Sequence, residues 1–257
     1  MAARPDVGEA RSLDGFLNKV KRGEGPFYRR LKQLASAILS PKVIRWPGFL
    51  RPPLRLLYEL HFGAIVAWHT LWNIFYYYPL FQGRCASLGR NVSIDRMPFV
   101  TGPVQIHIGN DVSLGGNIRI ASGRILEAPR LIIHDHAHIN WNAVITVNRE
   151  VIIEEYARIS WNCIISDSDG HPREADLRAQ DGPVNPRDIR PVRICKYAWI
   201  GNGSYIMKGV TIGEGAVIGA NSLVISDVPS YSLALGNPAE VVIRNYGRPV
   251  ATEPRQG

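Results

Sequence analysis

Aliphatic residues recur at every sixth position through the C-terminal two-thirds of the chain. Ile194, Ile200, Ile206, Ile212, Ile218 and Val224 keep this beat without a break. The residue four further on is small or β-branched: Ala198, Ser204, Val210, Ala216, Ser222, Val228. Upstream the beat runs Leu88, Ile94, Val100, then Ile108, Leu114, Ile120, then Ile133, Ile139, Ile145, then Ile153, Ile159, Ile165. A helix face repeats at 3.6 residues and a half-buried strand at two, so a period of six is neither alone. It is the beat of a chain wound into a triangular coil with one hexapeptide per side. Glycine follows the beat at Gly89, Gly109, Gly115, Gly201, Gly213 and Gly219, where a turn needs an unhindered backbone.

The beat is broken four times. The step is eight from Val100 to Ile108 and from Ile145 to Ile153, thirteen from Ile120 to Ile133, and twenty-nine from Ile165 to Ile194. Each break follows the third hexapeptide of a coil, so all four insertions are expected at one corner of the prism. Insertions in repeat proteins collect on one face, often the binding face. The longest, SDSDGHPREADLRAQDGPVNPRDIRPV, is polar and rich in Pro, Gly, Asp and Arg, and reads as a functional loop over residues 166–193.

Before the beat the pattern is helical. A short helix is expected around Leu13–Lys21, and Pro26 opens a second with Phe27, Leu31, Leu34, Ala35 and Ile38 on one face, stopped by Pro41. The stretch Leu54–Phe81 carries Trp68, Trp72, Phe75, Tyr76, Tyr77 and Tyr78 and almost no charge after Glu59. A membrane span has the required length of about 20 residues, but His69, Asn73 and Pro79 interrupt it. A helix lying in the membrane interface, or one packed on the prism or on a partner subunit, are the other readings. Three parts follow: a basic helical extension over residues 1–85, a coil domain over 86–230, and a closing cap and tail over 231–257.

Composition sharpens this division. Net charge is +8, yet residues 1–85 hold 13 Lys+Arg against 5 Asp+Glu, while the remainder holds 17 of each. The neutral repeat argues against nucleic acid as a partner. The basic arm suits an anionic membrane surface. The first residues carry no apolar run of the signal-peptide kind, and three scattered cysteines show no metal or redox spacing. A cytoplasmic setting is expected, peripheral at the inner face of the membrane. Cys163 lies on the small-residue beat and is expected to be a packed thiol.

Three further patterns bear on chemistry. Ile139-Asn140-Trp141-Asn142 and Ile159-Ser160-Trp161-Asn162 echo each other one coil apart, so the two tryptophans and the two asparagines should stack. His134, His136 and His138 alternate, as if on one side of a coil, and are a possible metal set. His171 opens the long loop, where Asp167 and Asp169 are each either an orienting carboxylate for the imidazole or part of a solvated turn.

Taken together, Gly170-His171-Pro172, Pro191-Val192, Trp199-Ile200-Gly201, Gly209-Val210-Thr211-Ile212-Gly213, Ala216 to Ala220, Asp227-Val228-Pro229 and Gly236-Asn237-Pro238-Ala239 resemble the hexapeptide-repeat acyltransferases. The resemblance is nearest to the sugar O-acetyltransferases of the galactoside, maltose and exopolysaccharide type. It implies an all-β solenoid, a left-handed parallel β-helix with an N-terminal helical, aromatic-rich extension, assembled as a homotrimer. The period by itself does not set the hand of the coil, since ordinary parallel crossovers are right-handed.

The resemblance also implies roles. His171 would be the general base, Asn140 would orient the acceptor, and Trp199 would lie beside acceptor and pantetheine. Gly201, Asn202 and Ala220 would line the groove for acetyl-CoA or another acyl-CoA. Ser226 stands near the CoA phosphates, where relatives often have lysine. The expected acceptor is a saccharide or glycolipid, in surface polysaccharide or glycolipid biosynthesis, and no metal is expected. The alternatives are a non-catalytic β-helix scaffold subunit, and a zinc enzyme like the γ-carbonic anhydrases using the histidine cluster.

Overall fold

The computed structural model describes residues 13–39 and 47–248. The first residues, Pro41 and the tail beyond Arg248, on which several expectations fall, lie outside the described residues. The chain divides into two compact units after Ala64. In the first, α1 (Leu13–Arg22) and α2 (Pro26–Leu39) form a hairpin. Phe16 packs edge-on against Tyr28, with ring centroids 5.8 Å apart. Lys32 Nζ donates to the carbonyl of Lys21 at 2.7 Å, closing the end of α1.

The division falls inside α3 (Arg51–Trp72). A single π turn, Asn73–Tyr77, then leads straight into α4 (Tyr78–Arg84). No residue of α3 is buried, and among the described residues no helix is long and apolar enough to cross a membrane. The spanning reading is therefore not supported. His61, His69 and Asn73 dilute the apolar run, and Pro79 sits at the start of the next segment rather than ending a continuous apolar cylinder.

In the second unit the six-residue beat becomes six coils of three short strands. They are Ser87–Leu88, Ser93–Ile94 and Phe99–Thr101 (β1–β3); Gln105–Ile108, Ser113–Leu114 and Arg119–Ala121 (β4–β6); Arg130–Ile133, His138–Ile139 and Val144–Thr146 (β7–β9); Glu150–Ile153, Arg158–Ile159 and Ile164–Ser166 (β10–β12); Val192–Ile194, Trp199–Ile200 and Tyr205–Ile206 (β13–β15); and Thr211–Ile212, Val217–Ile218 and Leu223–Val224 (β16–β18). Every first strand stacks on side one, every second on side two and every third on side three, all parallel. The beat residues sit in register: Ile133 beside Ile153 beside Ile194, Ile139 beside Ile159 beside Ile200, Ile145 beside Ile165 beside Ile206. Their side chains fill one continuous core with Ala137, Ala143, Ala157, Cys163 and Ala198, all buried. The fold is a left-handed parallel β-helix with an N-terminal helical region.

Small inward residues alternate with large ones because three sides must close within one side chain's reach. The corners need positive φ: Asn117, Asn142, Asn162 and Asn221 turn from side two to side three with φ near 60°. Asparagine tolerates that region better than most residues. Their amides also stack: Asn117 Nδ2 donates to Asn142 Oδ1 (3.2 Å), and Asn142 Nδ2 to Asn162 Oδ1 (3.0 Å).

Both ends of the prism are covered. Below, α4 buries Phe81 against the first coil, and Arg84 donates to the carbonyls of Val104 and Gly102. Burial beside this cap pushes the Cys85 thiol up to about 11. Above, β19 (Ser232–Gly236) continues side two and β20 (Ala239–Arg244) folds back antiparallel on it, so the last coil leaves no long open edge.

Candidate active site

All four breaks in the beat leave between side three and side one, as expected from the phase. This corner is stitched by buried polar groups. Asn148 Oδ1 accepts from the backbone N–H of Gly123 (2.7 Å), and its Nδ2 donates to Ser168 Oγ (2.6 Å). The fully buried Asp167 carboxylate accepts from three successive backbone N–H groups, those of Asn148 (2.9 Å), Arg149 (2.6 Å) and Glu150 (3.0 Å). Burial pushes this carboxyl up, and the three donors pull it back. One coil above, Lys208, only 6% exposed, pairs with Asp169. The loop is thus fixed through Asp169, and Gly170 (φ 78°) then turns it outward to His171.

His171 is exposed, and among the described residues it has no hydrogen-bond or ion-pair partner within the chain. The backbone just after it is held: Pro172 is buried, and Arg178 Nη1 donates to the carbonyls of Pro172 (3.0 Å) and Arg173 (2.9 Å). Arg173 pairs with Asp188 across the loop at 3.4 Å. Neither acidic residue orients the imidazole, and of the two only Asp169 stands at the solvent-exposed turn. Asp167 faces inward to the preceding coil, and Asp169 faces Lys208.

Asn140, Trp199, Gly201, Asn202 and Ala220 lie elsewhere. They flank or begin the turn from side two to side three, stacked coil upon coil. Trp199 is 51% exposed, and its Nε1–H donates to Ser160 Oγ at 3.0 Å. Asn140 Oδ1 lies 3.2 Å from His138 Nε2. Asn202 Oδ1 accepts from the backbone N–H of Trp161 at 3.3 Å. Gly201 has no room for a side chain, since a Cβ there would fall 2.6 Å from the carbonyl oxygen of Ile218. Ser226 is exposed after β18, at the side three to side one corner with His171. Within one chain, then, the seven residues occupy two edges: His171 and Ser226 on one, the other five on or beside the next.

The stacked pairs form as the echo predicted. Trp141 and Trp161 lie 6.5 Å apart at 23°, and Asn142 bonds Asn162. The Cys163 thiol is buried against the carbonyl of Gly201 at 3.2 Å. The histidine cluster does not share one side. His134 follows side one, His136 occupies the corner with φ 61° and stacks on Tyr156, and His138 belongs to side two. Among the described residues no group of three or more His, Cys, Asp or Glu side chains is placed to hold a metal.

Two contacts escaped the sequence. Lys208 and Asp169 are 39 residues apart, and only the coil spacing makes them neighbours. Trp141 Nε1–H donates to Asp95 Oδ2 at 2.9 Å, two coils down, because the bare backbone of Gly115 and Gly116 leaves space for the indole.

Fold and repeat together make this a parallel β-helix built on a six-residue repeat. Residues 191–226 match the bacterial transferase hexapeptide (six repeats) family. A protein of Staphylococcus aureus (strain COL) named as an acetyltransferase is 52% identical over 52 residues, 20% of this chain and 26% of that protein. One of Mycobacterium tuberculosis named as an acetyltransferase is 28% identical over 186 residues, 68% of this chain and 58% of that protein. The match therefore spans between about a quarter and somewhat over half the length of these curated relatives. The crystal structure of AntD, an N-acyltransferase from Bacillus cereus in complex with dTDP and 3-hydroxybutyryl-CoA, superposes with a TM-score of 0.52 at 21% identity, covering 66% of this chain and 88% of that one, and shares the fold.

Proposed function

We propose that the protein is an acyl-CoA-dependent O-acyltransferase, with acetyl as the expected acyl group and the hydroxyl of a sugar or lipid-linked saccharide as acceptor. The observation that carries this reading is the anchored loop: every residue from Ser166 to Asp169 is tied down, and His171 projects just beyond them, with no partner among the described residues. A histidine suits general-base work, because imidazole is the side chain whose unperturbed pKa lies nearest neutrality. The imidazole takes the proton of the acceptor hydroxyl as that oxygen attacks the thioester carbonyl. The tetrahedral intermediate collapses with loss of the CoA thiolate, which recovers the proton from the imidazolium. Atoms balance without an acyl-enzyme, and the buried Cys163 thiol has no part in it.

Asn140, Trp199, Gly201, Asn202 and Ala220 form the other wall on this reading, and Ser226 borders the CoA phosphates. Because those five lie on a different edge from His171, a complete site is made where the His171 edge of one copy meets the side-two edge of the next. A closed homotrimer meets that need. The aromatic α3 and π turn support peripheral attachment to an anionic membrane. Trp68, Trp72 and Phe75 are all exposed, and interfacial helices favour such side chains beside basic ones.

Acetyl transfer to saccharide acceptors by wild type and His171→Ala tests the central step. A loss of about 10²–10⁴-fold is expected of a general base, and wild-type turnover in the variant would overturn it. Co-sedimentation with phosphatidylserine vesicles, compared with phosphatidylcholine alone, tests the attachment: equal recovery with both would remove the anionic surface from the proposal.

A further inference from the structure

The turn from side two to side three carries groups that proton transfer at His171 does not use. Trp161 is 51% exposed and stacks on Trp141. The Trp141 indole crosses Gly115 and Gly116, where an added Cβ would come within 2.8 Å of the ring system. Its N–H is held by Asp95 Oδ2, and the Arg96 guanidinium lies 5.5 Å from the ring centroid. Asp95 Oδ1 has no partner among the described residues.

Beside Asp95 a cavity of about 370 Å³ opens under the π turn, lined by Thr70, Asn73, Ile74, Tyr78, Val92 and Ser93 among others. Single π turns inside helices are frequent at functional sites. Asn73 Oδ1, in the wall of this cavity, is sealed from water and accepts no hydrogen bond. In a native structure such an atom marks strain or a missing donor.

We propose that the strip from Trp161 through Trp141 and Asp95 to this cavity is a binding track for a neutral oligosaccharide, and takes the acceptor's further sugar units outboard of the one that is acylated. This rests on the acyl-transfer reading for its biological sense, but its chemistry stands on these residues. Exposed indole faces are flat apolar platforms for the C–H face of a pyranose. Asp95, Ser93, Thr70 and Tyr78 supply oxygens for hydroxyl groups, and a mostly apolar cleft with a few placed polar groups is the usual make-up of a small-molecule site. An acyl chain fits less well, because it would strip water from the Asp95 carboxylate and offer no donor in return. The track spans three coil spacings of about 4.8 Å, about 14 Å in all, so one sugar cannot touch both ends and several can.

Chain length is therefore the readout. The full-length protein is titrated with glucose, maltose, maltotetraose and cellotetraose by saturation-transfer NMR and tryptophan fluorescence. Affinity is expected to rise at least about tenfold from glucose to a tetrasaccharide, as two or three added contacts would give. That gain is expected to vanish in Trp161→Ala and in Ile74→Trp, which fills the cavity. It should survive in Tyr156→Ala, an exposed ring on another corner. Trp161 is a surface side chain, so its variant keeps the test open if Ile74→Trp fails to fold. Length-independent binding, no binding of either tetrasaccharide, or an undiminished gain in Trp161→Ala overturns the track. Calorimetry with CoA on the same samples separates the two readings: CoA binding without sugar binding removes only the track, and sugar binding without CoA binding removes only acyl transfer.

Discussion

Asp167 shows how a single residue holds the long loop to its coil. Its carboxylate closes three backbone N–H groups of the coil below, which no other side chain among the described residues reaches. Asp167→Ala would leave these donors unpaired, the Asn148 N–H buried and the other two partly so, at about 1–3 kcal/mol for each that water does not reach. A loss of about 3 kcal/mol or more is expected, read as a lower urea midpoint. Asp135 works at a turn on the opposite margin, where it accepts from the backbone N–H and the side-chain amide of Asn110. These bonds, the backbone one first, hold its carboxyl below the ordinary carboxylate value. The folded pKa is then lower than the unfolded one, so the contribution is present above about pH 4 and is lost as pH falls through the lower folded value. Thermal midpoints should fall less steeply below about pH 4 in Asp135→Asn than in wild type, and parallel acid limbs would refute the assignment.

At the scale of the element, the loop over residues 166–193 is long, polar and yet ordered, because its ends are clamped by ion pairs of unequal burial. Lys208 is sealed while Asp169 is about one-third exposed. The two halves of this pair should therefore not be equivalent. Asp169→Ala strands a buried ammonium, which costs about 3 kcal/mol when no water reaches it. Lys208→Met leaves a carboxylate that water can solvate, and should cost about 1 kcal/mol. Denaturant unfolding of both variants decides this, and equal losses would mean that Lys208 is hydrated in solution. The loop itself was legible as a break in the beat, as was the corner it leaves from. Its clamps were not, because Asn148, Asp167 and Lys208 become neighbours only through coil stacking, and any polar residue in a loop reads as solvated until its neighbour in the adjacent coil is known. The histidines at 134, 136 and 138 failed for a related reason. Alternation puts side chains on one face only within a strand, and here a corner falls between them.

At the scale of the whole molecule, phase within the coil carries more information than distance along the chain. Counted in coils alone, the three are near neighbours, with Asn140 one coil below the His171 loop and Trp199 in the coil above. Phase places them otherwise: Ile139 and Ile200 are second-side residues, and His171 leaves after the third side. The fold was readable because hydrophobic burial repeats locally. The proposed site was not, because on that reading it is completed by a neighbouring copy that one chain's sequence does not describe. That requirement yields a sharp expectation. His171→Ala and Asn140→Ala should each be inactive alone, yet mixed oligomers should recover activity, because some sites join an intact His171 edge to an intact Asn140 edge. For equal co-expression with random assembly in a closed ring, each site needs the right variant on each side, so about one quarter of wild-type activity should return. A site built within one chain would return none. Purified variants mixed without subunit exchange should also return none, and activity recovered from that mixture would point to residual function in one variant and sink the shared-site reading.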